Sequence, residues 1–158
     1  MKKIFGIVLF SCFVFASSVF AAQKSVDFTL PSIDGGEVTL SSFKGKKVLI
    51  DFFATWCPPC RKELKEINEI VNEYKDGMFQ ILCVSVDNDM ATVSKFMKKN
   101  DYKMKTLFDD KNIAGQYGVT GVPTVFLVDE KGDITWSNVG YTSKEEILKH
   151  LTGKKGKK

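Results

Sequence analysis

A seven-residue run, Val48-Leu49-Ile50-Asp51-Phe52-Phe53-Ala54, is followed within four residues by Pro58-Pro59, and no other stretch limits the fold so tightly. The run has strand length and a single polar member, the pattern of a central strand covered on both faces. Proline has no N–H to give a ladder, yet it fits the first helical turn, where that N–H would lack a partner anyway. A buried strand must therefore stop before residue 58 and a helix must start there, with Thr55-Trp56-Cys57 as the whole connection.

The rest of the chain alternates in the same way. Leu64, Ile67, Val71 and Tyr74 recur at helical spacing and mark one buried face, which Asp76-Gly77 closes. Residues 78–86 read as a second core strand, and residues 92–99 as a helix carrying Val93, Phe96 and Met97. Residues 112–117 read as a short third helix. Residues 124–128 and 134–139 bracket the turn Asp129-Glu130-Lys131-Gly132 and form a hairpin. Ser143 with Glu146 makes a capping box for a last helix bearing Ile147, Leu148 and Leu151. Upstream, Phe28-Thr29-Leu30 and Glu37-Val38-Thr39 flank Asp34-Gly35-Gly36 as an N-terminal hairpin. The expected class is an α/β sandwich with a mixed sheet.

At 158 residues there is room for one domain, and a formal charge of +4 raises the question of nucleic acid. Lys2, Lys3, Lys154, Lys155, Lys157 and Lys158 hold six of the 23 basic residues, leaving 17 against 19 acids in the body. The basicity belongs to the ends, so no nucleic-acid partner is expected. After Met1-Lys2-Lys3, residues 4–22 run 19 positions without a charge, a targeting segment ending in small residues with a cleavage point after Ala21. Its length also approaches the roughly 20 residues that span a bilayer, so a retained anchor stays open and a membrane is a partner only in that case. A lipoprotein reading at Leu9-Phe10-Ser11-Cys12 is disfavoured by bulky Phe10. The expected organisation is a signal or anchor at 1–21, one domain at 22–152 and a basic tail at 153–158. Either form of the N-terminus implies an exported domain, in the bacterial periplasm or tethered outside the cytoplasm.

Removal of the signal leaves Cys57, Cys60 and Cys83, which cannot all pair internally. A bond between Cys57 and Cys60 closes a minimal loop and adds little chain-entropy stabilisation, which suits opening and closing better than stapling. Placed at a helix start, the first thiol meets unpaired N–H groups and the positive end of the dipole. Such Cys-x-x-Cys thiols fall from about 8.5 to between about 3.5 and 7.5. A spacing of three puts Cys60 one turn on, within disulfide reach.

Trp56-Cys57-Pro58-Pro59-Cys60 after that strand, with Gly121-Val122-Pro123-Thr124-Val125-Phe126-Leu127-Val128-Asp129 downstream, resembles the thioredoxin fold. More narrowly the chain is similar to the TlpA/ResA/DsbE-like thiol–disulfide oxidoreductases of the redoxin, or AhpC-TSA, superfamily. The resemblance covers residues 26 to about 151. It implies a three-layer thioredoxin-like sandwich with an N-terminal β-hairpin and an inserted segment, residues 87–117, between the central strand and the proline segment. It further implies a cis peptide at Val122-Pro123 opposite the cysteines, with Val122 and Pro123 receiving an extended substrate segment, and Trp56 contacting it.

Asp51 matches the buried carboxylate of thioredoxin, where many TlpA/ResA-like members have Asn. It would support proton transfer at Cys60, or it is a strand-end aspartate bonded to backbone. Glu63 falls where ResA-like proteins carry an active-site glutamate, or it is an acid favoured in the first turns of a helix. Lys65 stands where many relatives have a helix-kinking proline, which leaves the helix path open. Cys83 reads as core, and His150 as a solvated helix residue. Zinc would need Cys57, Cys60, Cys83 and His150 to converge without real zinc-module spacing, so no metal and no organic cofactor is expected. A peroxidase of the peroxiredoxin kind would want threonine where Ala54 stands. The function expected is reduction of disulfides in client proteins through a Cys57–Cys60 couple, recharged by a membrane thiol donor. Apocytochrome c maturation is one such setting that the resemblance implies. A disulfide-forming oxidant and a non-catalytic binding module are the alternatives.

Overall fold

The computed structural model describes residues 23–153; the expected export segment, Cys12 and the tail lysines lie outside them. In chain order the elements are β1 (Gln23–Lys24), β2 (Thr29–Pro31), β3 (Glu37–Thr39), a 3-10 turn (Leu40–Phe43), β4 (Lys47–Phe53), α1 (Pro58–Glu73), β5 (Phe79–Ser85), α2 (Met90–Lys99), β6 (Lys105–Phe108), α3 (Ile113–Gln116), β7 (Thr124–Val128), β8 (Asp133–Val139) and α4 (Lys144–Thr152). No helix among the described residues is long and apolar enough to cross a membrane.

The main sheet runs β1-β8-β7-β4-β5-β6, and β2 pairs with β3 as a separate hairpin. β4 lies parallel to β5 and antiparallel to β7, so Asp51 has Cys83 on one side and Val125 on the other. Every residue of β4 after Lys47 is buried, because the alternating side chains meet a core on each face. Leu49 and Phe53 pack with Leu64, Ile67 and Ile70 of α1, Val93 and Met97 of α2, and Ile147 and Leu151 of α4. Val48, Ile50 and Phe52 face Phe28, Leu30, Leu40 and Ile113, from the hairpin, the 3-10 turn and α3. The result is the three-layer α/β sandwich with a mixed sheet that the sequence implies. Each fully buried aliphatic side chain contributes roughly 1.5–3 kcal/mol relative to exposure.

Several details depart from the sequence reading. The strands β1 and β6 were not expected. β6 has only Leu107 and Phe108 as strongly apolar members and is held by lateral pairing to β5, which a four-residue local pattern does not announce. On α1 the innermost residue near the C-terminal end is Ile70, while Val71 is only partly covered. The helix runs unbroken through Lys65. α2 begins at Met90 because the Asp89 carboxylate accepts the N–H groups of Ala91 and Thr92. His150 is not simply solvated: its ring stacks on Trp136 at 4.1 Å between centroids, and Glu146 lies 2.9 Å from its Nε2. The last helix does start on Ser143, whose Oγ accepts the Glu146 N–H.

Candidate active site

The junction between β4 and α1 places the two cysteines. Cys57 is the N-cap of α1 in extended conformation, Pro58 and Pro59 occupy the first helical positions, and Cys60 follows one turn inward. The sulfurs of Cys57 and Cys60 are bonded, with the Cα atoms 5.3 Å apart. Cys57 Sγ accepts the Cys60 N–H at 3.2 Å, so a thiolate on Cys57 would be met by a backbone donor and by the helix dipole together. Cys57 is almost covered and Cys60 fully buried, whereas Trp56 beside them is 65% exposed. The Val122-Pro123 peptide is cis, and the Val122 carbonyl oxygen lies 3.6 Å from Cys57 Sγ. The structure therefore brings together Trp56, Cys57, Cys60, Val122 and Pro123 at the carboxyl end of β4.

A clamp that the sequence reading missed holds this junction. Asp87, buried just beyond β5, accepts the Thr55 N–H at 2.9 Å, the Thr55 hydroxyl at 2.7 Å and the Ser85 hydroxyl at 2.7 Å. Arg61 completes it from the other side, its Nε donating to the Thr55 carbonyl at 2.7 Å. Both peptide groups of the residue two before Cys57 are thereby fixed. The available signal was weak, because Asp87 opens Asp87-Asn88-Asp89 after a buried strand and so reads as an ordinary turn residue.

The two elements that meet at the disulfide each bury an acid, Asp51 on β4 and Glu63 on α1. Asp51 is fully buried, and neither carboxylate oxygen has a hydrogen-bond partner among the described residues. Burial raises its pKa well above the ordinary carboxylate value, Glu63 adds to the rise, and the neighbouring Cys83 thiol opposes it. Glu63, one turn past Cys60 on α1, is also buried. One of its oxygens accepts the Thr142 N–H and the other has no partner among the described residues. Burial lifts Glu63 to about 7, against the pull of the Thr142 N–H. Asp51 is not bonded to backbone, and Glu63 is a buried acid in the early part of α1. Cys83 sits in the core as expected, its thiol pushed upward by burial and by the two acids. Burial and the neighbouring acid raise Asp51, and burial raises Glu63 to about 7.

Comparison with known proteins agrees with this geometry. The AhpC/TSA family model matches residues 21–137. Thiol-disulfide oxidoreductase ResA of Bacillus thuringiensis subsp. konkukian is 32% identical over 130 residues, which cover 82% of this chain and 75% of ResA. The crystal structure of a protein described as a thiol:disulfide interchange protein DsbE from Chlorobium tepidum superposes with a TM-score of 0.77 at 32% identity, covering 84% of this chain and 95% of that one. The exposed lipoprotein thioredoxin of Streptococcus pneumoniae superposes with a TM-score of 0.74 at 31% identity, covering 82% of this chain and all of that one.

Proposed function

The chain belongs to the AhpC/TSA family as a thiol–disulfide oxidoreductase of the ResA and DsbE type, and from that premise we propose that it is an exported reductant of protein disulfides. The observation that carries the proposal is Cys57 at the N-cap of α1, facing the Val122 carbonyl, with its bonded partner Cys60 buried one turn before Glu63. The Cys57 thiolate attacks a client disulfide, forms a mixed disulfide and releases one client thiolate, which takes up a proton. Cys60 passes its proton to the Asp51–Glu63 pair and attacks the Cys57 sulfur. The second client thiol leaves, two electrons have moved to the client, and Cys57–Cys60 is oxidised. The carbonyl and N–H groups beside Pro123 pair with the extended client, and Trp56 covers it from the other side. A thiol donor in the membrane restores the dithiol.

The burial of Cys60 supports the reducing direction. A buried thiol beside buried acids resists ionisation, so the reduced form gains little stabilisation and the disulfide is favoured, which makes the couple a reductant. Pro58-Pro59 supplies no histidine to oppose this. Ala54 leaves the threonine position of a peroxide-reducing site empty of its hydroxyl. Export rests on Lys2, Lys3 and the uncharged residues 4–22, and on the description of the Streptococcus relative as exposed. We assign residues 1–21 to export, 22–152 to the domain and 153–158 to a basic tail.

Two experiments test this reading. Equilibrating the couple with dithiothreitol or glutathione should give a potential below about −200 mV. A value near −120 mV would make the protein an oxidant, and a bond that never opens would make it a binding module. A Cys60→Ala chain should accumulate covalent client adducts through Cys57 in the exported compartment, and their absence under oxidising conditions would remove the mechanism.

A further inference from the structure

Next to Trp56 the surface between α1 and α2 is hollowed into two adjoining grooves of about 290 and 320 Å³, which share Arg61, Phe96 and Lys99 as lining. Lys95 and Lys65 complete the basic side, and Trp56 and Tyr102 the aromatic side. No carboxylate lines either groove. None of Arg61, Lys65, Lys95 and Lys99 forms an ion pair among the described residues, although lysines elsewhere on this domain do. In a body whose acids outnumber its bases, four cations without ion pairs gathered beside Trp56 form a local exception.

Arg61 is the anchor of this surface. Its Nε is committed to the Thr55 carbonyl, and its guanidinium carbon lies 6.0 Å from the centre of the Phe96 ring. Held at those two points, it presents its terminal nitrogens in a fixed plane, the arrangement that accepts a carboxylate bidentately at low entropic cost. Lys95 and Lys99 stand one turn apart on α2, so they extend the positive potential along the groove.

We propose that this groove selects the client: it receives a polypeptide segment rich in Asp and Glu flanking the client cysteine, with an aromatic or aliphatic side chain against Trp56 and Phe96. The inference rests on the thiol-exchange reading above and adds the substrate class to it. A client strand paired beside Val122 would lie over Cys57, whose chain neighbour Trp56 lines the groove, so its flanking residues would reach the basic surface. Charge complementarity at that position acts mainly on the rate of encounter and on partner choice.

The test uses the full-length reduced chain in a neutral detergent. Oxidation by two disulfide peptides of equal length, one with Glu flanks and one with Lys flanks, is followed at low and high salt. At low salt the acidic peptide should react about tenfold faster, and the ratio should shrink as salt screens the field. Lys95→Gln/Lys99→Gln should bring the ratio toward one, and Lys95→Glu/Lys99→Glu should invert it. Both lysines are exposed, and the ratio is read within each protein, so altered stability does not enter. A ratio near one in the unmodified chain, or one that the charge reversal leaves unmoved, overturns the groove assignment alone. A chain inert even to a small neutral disulfide overturns the exchange reading and this inference with it.

Discussion

Asp87 and Asp51 are both buried aspartates within reach of the same β4–α1 junction, and their surroundings could hardly differ more. Asp87 is surrounded by donors, taking one N–H and two hydroxyls, while both oxygens of Asp51 lack any partner among the described residues. Asp51 instead faces a second acid, Glu63. Burial is common to both, so burial does not decide the role. The supply of donors does: with three, a carboxylate becomes a structural clamp, and with none among the described N–H and hydroxyl groups its charged form is disfavoured.

The largest break in that comparison should come from Asp87→Ala. It strands the Thr55 and Ser85 donors in a buried site and should cost about 3 kcal/mol in a urea unfolding experiment, with loss of the Cys57 geometry. Asp51→Asn should have the opposite sign. The unfolded chain ionises Asp51 in the ordinary carboxylate range while the folded chain holds the proton to higher pH, so folding above that range requires proton uptake, which Asn avoids. A gain in stability is expected at pH 8 that disappears near pH 4, together with a resolving step slowed about tenfold or more in stopped-flow trapping of the mixed disulfide.

Glu63→Gln sharpens the comparison further. In the unmodified chain Glu63 has its folded value raised from 4.5 to about 7, so its contribution to stability is present at low pH and is lost as pH rises across that window. The variant should flatten the decline of urea midpoints between about pH 4.5 and about 7, and should ease Asp51 back toward its usual range. An unchanged slope would detach Glu63 from the pair. The smallest effect belongs to Cys83→Ala. It removes a buried sulfur for about 1 kcal/mol and takes away the thiol that opposes the rise of Asp51, so the Asp51 titration should move slightly upward in carboxyl infrared spectra.

Much of this was legible in the sequence because it follows local rules. Two prolines after an apolar run fix a strand-to-helix junction, Ser143 with Glu146 fixes a helix start, and the helix spacing of Leu64 and Ile67 gives the buried face of α1. The edge strand β6 was not legible, since four residues gain strand structure only from a neighbour. His150 was misread for the same reason: its partner Trp136 lies on β8, across the fold. The Asp87 clamp joins residues 32 apart, and nothing in either segment alone names the other.

By itself the sequence determined the chemistry at the junction: which residues start the helix, and hence which two thiols stand one turn apart at its positive end. Tertiary structure alone decided what those thiols face. It turned Glu63 inward to meet Asp51, left both Asp51 oxygens without an N–H or hydroxyl donor among the described residues, gave Asp87 three, and gathered four cations without ion pairs from α1 and α2 beside Trp56. Helix and strand starts depend on neighbours within a few residues, whereas donor supply, burial and converging charge depend on segments that only the folded chain brings together.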